Sequence, residues 1–137
     1  MPEKALAPGN KNGPVIMWAA IATNDPDVIE ALIDRGADVN ENDAIFQGTP
    51  LTGAATYNSN PEIIGVLVEH GADINKRVIL EQDALMLAAQ FNENASVIRE
   101  LLKNGANPKN KSVLGKTALD FAKKHKNDAA VSVLSNY

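Results

Sequence analysis

Cysteine is absent from the 137-residue chain. Disulfides, thiolate metal sites and a cysteine nucleophile are excluded with it, and the sequence suits a reducing compartment. Aromatic residues fill only 4% of positions, against 45% hydrophobic overall. A core must therefore be built from Ala, Val, Ile and Leu, which favours helices packed closely through small residues. The longest apolar run, Val15 to Ala22, falls far short of the ~20 residues of a membrane-spanning helix. Met1-Pro2-Glu3-Lys4 is not followed by the apolar segment of a secretory leader. We expect a cytoplasmic protein with no membrane attachment. Only two histidines occur, His70 and His125, and neither has a partner at metal-ligand spacing. No G-x-S-x-G elbow is present. The sequence thus predicts no catalytic site, no metal and no cofactor.

What is there begins with charge. The net charge is −4, but it is unevenly spread. Residues 1–102 hold 6 Lys/Arg and 15 Asp/Glu, whereas residues 103–137 hold 7 Lys and 2 Asp. The molecule is electrically polar from end to end. That either steers a partner or merely solvates a terminal helix with lysines.

The chain also repeats itself. Alanine pairs recur at Ala19-Ala20, Ala54-Ala55 and Ala88-Ala89, and Gly-Ala pairs at Gly36-Ala37, Gly71-Ala72 and Gly105-Ala106, both spaced 35 and 34 residues. Between them stand Val28-Ile29, Ile63-Ile64 and Val97-Ile98, then Leu32-Ile33, Leu67-Val68 and Leu101-Leu102. A shorter fourth copy starts at Gly115 and keeps Leu119 and Ala122. Each copy reads as two short helices. Thr49 is placed to cap a helix opening at Pro50, and Thr117 with Asp120 has capping-box spacing. Asp25-Pro26, Asn60-Pro61 and Asn94-Ala95 open the second helices, pairing an Asx cap with, in two of them, proline at the first helical position. Gly36, Gly71 and Gly105 fall where a helix stops in the left-handed conformation. Apolar pairs four apart (Val28 with Leu32, Ile63 with Leu67, Val97 with Leu101) predict a buried stripe. One helix pair cannot bury such a stripe alone, so units of this kind stack in arrays.

These residues resemble the ankyrin repeat, with its T-P-L-H-x-A-A stretch, V-V-x-L-L second helix and G-A-D-V-N turn. The matches are Thr49-Pro50-Leu51 with Ala54-Ala55, Gly36-Ala37-Asp38-Val39-Asn40, Gly71-Ala72-Asp73-Ile74-Asn75 and Gly115-Lys116-Thr117-Ala118-Leu119. The family histidine is missing from all four copies; Met17, Thr52, Met86 and Asp120 stand in its place, which puts a local hydrogen-bond network in question. The resemblance implies an all-α solenoid of four helix-turn-helix repeats with short hairpin-like fingers. It divides residues 13–137 into repeats at about 13–46, 47–81, 82–114 and 115–137, the end copies acting as caps. Residues 1–12 read as a flexible tail.

The resemblance further implies a module that binds a partner protein through its concave face, as an adaptor, regulator or inhibitor. The fingers carry Ile45-Phe46, Val78-Ile79-Leu80 and Val113-Leu114, and the ends of the first helices carry Ile21, Tyr57 and Phe91. Apolar finger tips in three successive copies point to contact surface, and aromatic anchors are typical hot spots. The alternative for the finger residues, Val78 and Val113 foremost, is that they fold back between repeats. Trp18, the only tryptophan, aligns with Gly53, Leu87 and Phe121; we expect it in the core, with Gly53 leaving room for the indole.

Other motifs give way to this reading. Gly115-Lys116-Thr117 lacks the upstream glycine of a phosphate loop, because position 110 is Asn110. Asp38, Asn40 and Asn42 have calcium-loop spacing, but Asp43 and Thr49 occupy the places of the required glycine and glutamate. The lysine-rich end lacks interleaved aromatics apart from Phe121, so no nucleic-acid partner is expected. The partner is an unknown protein and the chain a monomer. The competing reading is a structural protein that associates with itself through its apolar fingers or oppositely charged ends.

Overall fold

The computed structural model describes residues 15–137, which form eight α-helices and one short 3-10 turn. The predicted tail, residues 1–12, lies outside the described residues, as do Gly13 and Pro14. The helices pair as α1 (Val15–Ala22) with α2 (Pro26–Asp34), α3 (Pro50–Tyr57) with α4 (Pro61–Glu69), α5 (Ala84–Phe91) with α6 (Ala95–Lys103), and α7 (Ala118–Lys124) with α8 (Asp128–Leu134). First helices stack on first helices and second helices on second helices through the whole series. The result is the all-α solenoid of helix pairs that the repeat implied.

The helix ends are written into the sequence. The carboxylate of Asp25 and the amide oxygens of Asn60 and Asn94 accept from the backbone N–H two residues on, at 2.9, 3.0 and 2.9 Å. Thr49 with Thr52, and Thr117 with Asp120, close reciprocal capping boxes, while Asp83 accepts from Met86 N–H. Each accepts a donor that a helix start otherwise leaves orphaned. At the other end, Gly36, Gly71 and Gly105 have φ of +97°, +98° and +100°. The following Ala37, Ala72 and Ala106 donate back to Leu32, Leu67 and Leu101 at 3.0, 2.9 and 3.0 Å, a Schellman stop. A Cβ on any of the three glycines would touch nothing within 4 Å. The requirement for glycine is therefore the backbone angle alone.

The core is as small-featured as the composition requires. Ala20, Ala54, Ala55, Ala88 and Ala89 are fully buried where first helices meet. Behind them Ile63, Ile64, Leu67, Val97, Ile98 and Leu101 are sealed between neighbouring pairs. The predicted stripe fails at Val28, which is exposed, with Leu32 half-buried and Ile29 taking the core position. Among the described residues the first pair has a neighbour on one side only, so the outward half of its stripe has nothing to pack against.

Trp18 also departs from expectation. It is 59% exposed, with its ring 4.9 Å from that of Phe46 at an interplanar angle of 87°. Gly53 does leave room, but for other side chains: a Cβ there would lie 2.7 Å from Met17 Sδ and 3.2 Å from Ile21 Cγ1. Met17 is the residue that sinks into the junction. One residue on, a helix has turned by about 100°, which brings Trp18 round to the fingers.

The connection between stacked pairs is an asparagine ladder. Asn58, Asn92 and Asn127 are buried just beyond the first helices of their copies. Asn58 Nδ2 donates to the carbonyls of Ala20 (2.9 Å) and Thr23 (2.8 Å). Asn92 repeats this on Ala55 (2.9 Å) and Asn58 (2.8 Å), and Asn127 on Ala89 (3.0 Å) and Asn92 (2.8 Å). Each amide thereby satisfies last-turn carbonyls of the preceding copy that no helical N–H can reach. The signal of these residues in the sequence is their 34- and 35-residue spacing. At the family histidine's place in the second copy, the Thr52 hydroxyl donates to Thr49 O at 2.9 Å.

Candidate partner-binding face

The fingers are tight hairpins. Asp43 and Gly48 exchange backbone bonds around a loop of four residues, and the Asp43 carboxylate accepts from Ile45 and Phe46 N–H, both at 2.8 Å. In the second finger Val78 N–H donates to Gln82 O (2.9 Å) around the 3-10 turn Ile79–Glu81. In the third, Ser112 N–H donates to Lys116 O (2.9 Å). These two enclose three residues each, so the extra residue of the first finger accounts for the longer 35-residue spacing. Leu80 and Glu81 sit consecutively at φ +57° and +59°, a left-handed conformation that costs a non-glycine residue about 1–2 kcal/mol. The second and third fingers are tied together: Val113 N–H donates to Leu80 O (3.1 Å), and Arg77 Nη1 donates to Lys111 O (2.7 Å) and Glu81 O (3.1 Å).

Between the first two fingers and the first helices lies a cleft of about 250 Å³. It brings together Phe46, Tyr57, Val78, Ile79 and Phe91 from the predicted contact set, over a floor of Met17, Thr52, Gly53, Thr56 and Leu87. Tyr57 is 67% and Phe91 55% exposed. They hold the same place in adjacent copies, eight residues after the N-cap. In the fourth copy that place belongs to His125, whose ring meets Phe91 at 5.7 Å. The remaining predicted residues lie elsewhere. Ile45, Leu80, Val113 and Leu114 are exposed on finger tips outside the cleft, and Ile21 is half-buried against Gly53. Val78 is half-buried and Val113 exposed, so of the two finger valines only Val78 turns inward.

Charge is distributed front to back as well as end to end. Helices α1, α3 and α5 carry no charged side chain, whereas α7 carries Asp120, Lys123 and Lys124. The fingers change from Glu41 and Asp43, through Lys76, Arg77 and Glu81, to Lys109, Lys111 and Lys116. On the opposite face α2 and α4 carry five carboxylates and neither Lys nor Arg. Asp120 is held below the usual carboxylate range, chiefly by the Thr117 backbone N–H that it accepts at 3.0 Å.

The motifs set aside in the sequence have structural duties. Asp38 accepts from Asn40 N–H (2.9 Å), while the Asn40 side chain bridges Gly71 O and Asp73 N–H, both at 2.9 Å. Gly115, at φ +76°, closes the third finger and Thr117 caps α7. His70 lies 3.6 Å from Glu30 on the second-helix face. Among the described residues no group of three or more His, Asp or Glu is arranged to hold a metal ion, and no helix is long and apolar enough to cross a membrane.

A family model of ankyrin repeats, in three copies, matches residues 16–112. The fourth helix pair, α7 and α8, follows the matched span and packs on α5 and α6. No curated protein matches the chain.

Proposed function

Since the chain belongs to the ankyrin repeat family, whose repeats are generally protein–protein interaction modules, we propose that it binds a partner protein through the cleft between its fingers and first helices, as an adaptor, regulator or inhibitor rather than as an enzyme. One observation carries this reading. Aromatic and aliphatic side chains from three copies line a single cleft while Tyr57 and Phe91 stay largely in solvent. An exposed apolar cluster of this kind is the usual mark of an interaction site, and tyrosine is enriched among hot spots. The tied second and third fingers lower the entropy lost on binding, because the surface is ordered beforehand.

The test is affinity capture from lysate of the source cell, comparing wild type with the Tyr57→Ala/Phe91→Ala variant and quantifying bound proteins by mass spectrometry. A partner held by wild type and lost by a variant of unchanged melting temperature supports the reading. Equal capture by both proteins sinks it. Light scattering addresses the competing self-assembly reading: a monomer across concentration is expected, and an oligomer that the two substitutions dissolve would replace a foreign partner with a second copy of this chain.

A further inference from the structure

We propose that the partner's docking segment is acidic: one of its apolar side chains enters the cleft while Asp or Glu side chains on the same segment pair with Lys116 and Lys124 of the fourth copy. The proposal rests on the cleft reading above and specifies the chemistry of what binds there.

The argument is one of register. In each copy two positions matter: the one just before the first-helix N-cap, and the one seven residues after that cap. In the second copy these are Gly48 and Thr56, which both line the cleft. In the third they are Gln82 and Gln90, whose side chains bond directly, Gln90 Nε2 donating to Gln82 Oε1. In the fourth they are Lys116 and Lys124, both exposed. Two ammonium groups have only donors. They cannot make the bond that the two amides make, and an anion between them satisfies both. The carboxylate at hand, Asp120, is already engaged by the Thr117 N–H, and it is one negative charge beside Lys116 and Lys123. Among the described residues neither Lys116 nor Lys124 stands within salt-bridge distance of a carboxylate, so both present their charge to solvent.

The wider field points the same way. The cleft abuts this cationic end through the Phe91–His125 contact, and the second-helix face carries the carboxylates of α2 and α4. An acidic segment is repelled from the back and drawn to the front, with its charges toward the fourth copy. Complementarity of this kind sets orientation and association rate as much as affinity.

A random peptide library displayed on phage, selected on the full chain, supplies the probe; the enriched peptides are then titrated by fluorescence anisotropy. Peptides joining an aromatic or large aliphatic residue to two or more Asp or Glu are expected. Lys116→Gln/Lys124→Gln should weaken them about tenfold, since two exposed pairs each contribute a factor of roughly three, and raised salt should weaken wild-type binding similarly. Tyr57→Ala/Phe91→Ala should abolish it. Loss on the aromatic substitutions alone, or enrichment of neutral peptides, overturns the acidic partner and leaves the cleft reading intact. Loss on the lysine substitutions alone overturns both. A single-stranded RNA oligonucleotide that competes as well as the peptide, or no enrichment at all, also overturns the proposal.

Discussion

Replacing Asn92 with alanine should cost the stack about 3 kcal/mol. The substitution removes Nδ2, which donates to Ala55 O and Asn58 O at 2.9 and 2.8 Å. It also removes Oδ1, which accepts from Asn94 N–H at 3.0 Å. Ala55 and Asn58 are buried, so two carbonyls lose their partner where water has poor access. A buried group left unsatisfied costs about 1–3 kcal/mol; the low end applies where the smaller side chain lets a water approach, which gives the total above. For a domain of this size the melting temperature should fall by roughly 10 °C. The same experiment separates the ladder from ordinary capping. Asn94→Ala loses an N-cap and a bond to Ser59 O at the surface, a change of about 1 kcal/mol. Solenoid stability is close to a sum of neighbour terms, so Asn92→Ala weakens one junction in particular. Trp18 reports on the first copy alone, and its fluorescence should part company with helix circular dichroism during denaturant unfolding. A loss below 1 kcal/mol, or equal losses at Asn92 and Asn94, would show that the ladder does not hold the copies together.

Ala54→Leu should destabilise by about 1–3 kcal/mol, because a fully buried alanine between first helices has no room for three more carbons; an unchanged melting temperature would contradict the packing described. Glu81→Gly should do the opposite and stabilise by about 1 kcal/mol, since glycine relieves the φ of +59° at that finger position; lower stability in urea would mean that the Glu81 side chain matters more than its backbone. Asp120 supplies a pH signature. The Thr117 backbone N–H holds its carboxyl below the ordinary aspartate range, so its contribution is complete above the unfolded pKa and is lost as pH falls through the folded one. Wild type should therefore melt above Asp120→Asn at neutral pH, with the gap closing in acid below pH ~4; a gap that stays constant down to pH ~2 would refute the linkage.

Local chemistry made most of the fold legible in the sequence. An Asx residue before Pro26 or Pro61, a threonine three residues ahead of a polar partner, and a glycine at fixed distance each act within one turn of chain. A reader of the sequence can therefore place them without knowing the neighbours. The failures are positions where the outcome depends on what lies across a junction. Val28 follows the same rule as Ile63 and Val97, yet it lacks a second neighbour among the described residues. The room at Gly53 points Trp18 to the core, but one step of helical rotation gives that room to Met17 and Ile21. The role of Asn58, Asn92 and Asn127 is hidden in the sequence for a related reason. Asparagine after a helix reads as a turn residue, and its reach to carbonyls more than thirty positions earlier is a property of stacking.

The same distinction governs the candidate face. Tyr57 and Phe91 were legible because repeat register alone makes them neighbours, and Phe46, Val78 and Ile79 join them because the first two fingers flank the cleft. Ile45, Leu80, Val113 and Leu114 share the apolar chemistry, but hairpin geometry, which the composition does not encode, puts them outside it. The structure also joins what the sequence presents as separate, the candidate face and the ladder. Tyr57 and Phe91 each immediately precede a ladder asparagine, Asn58 and Asn92, whose amides are fixed to the copy before. The exposed rings thus stand on backbone held by buried hydrogen bonds, and the last helical turn beneath them is not free to fray. Exposed aromatics are ordinarily a liability in water. Mounted on a clamped backbone, Tyr57 and Phe91 would lose little further entropy if a partner covered them, which is the physical ground of the proposed face.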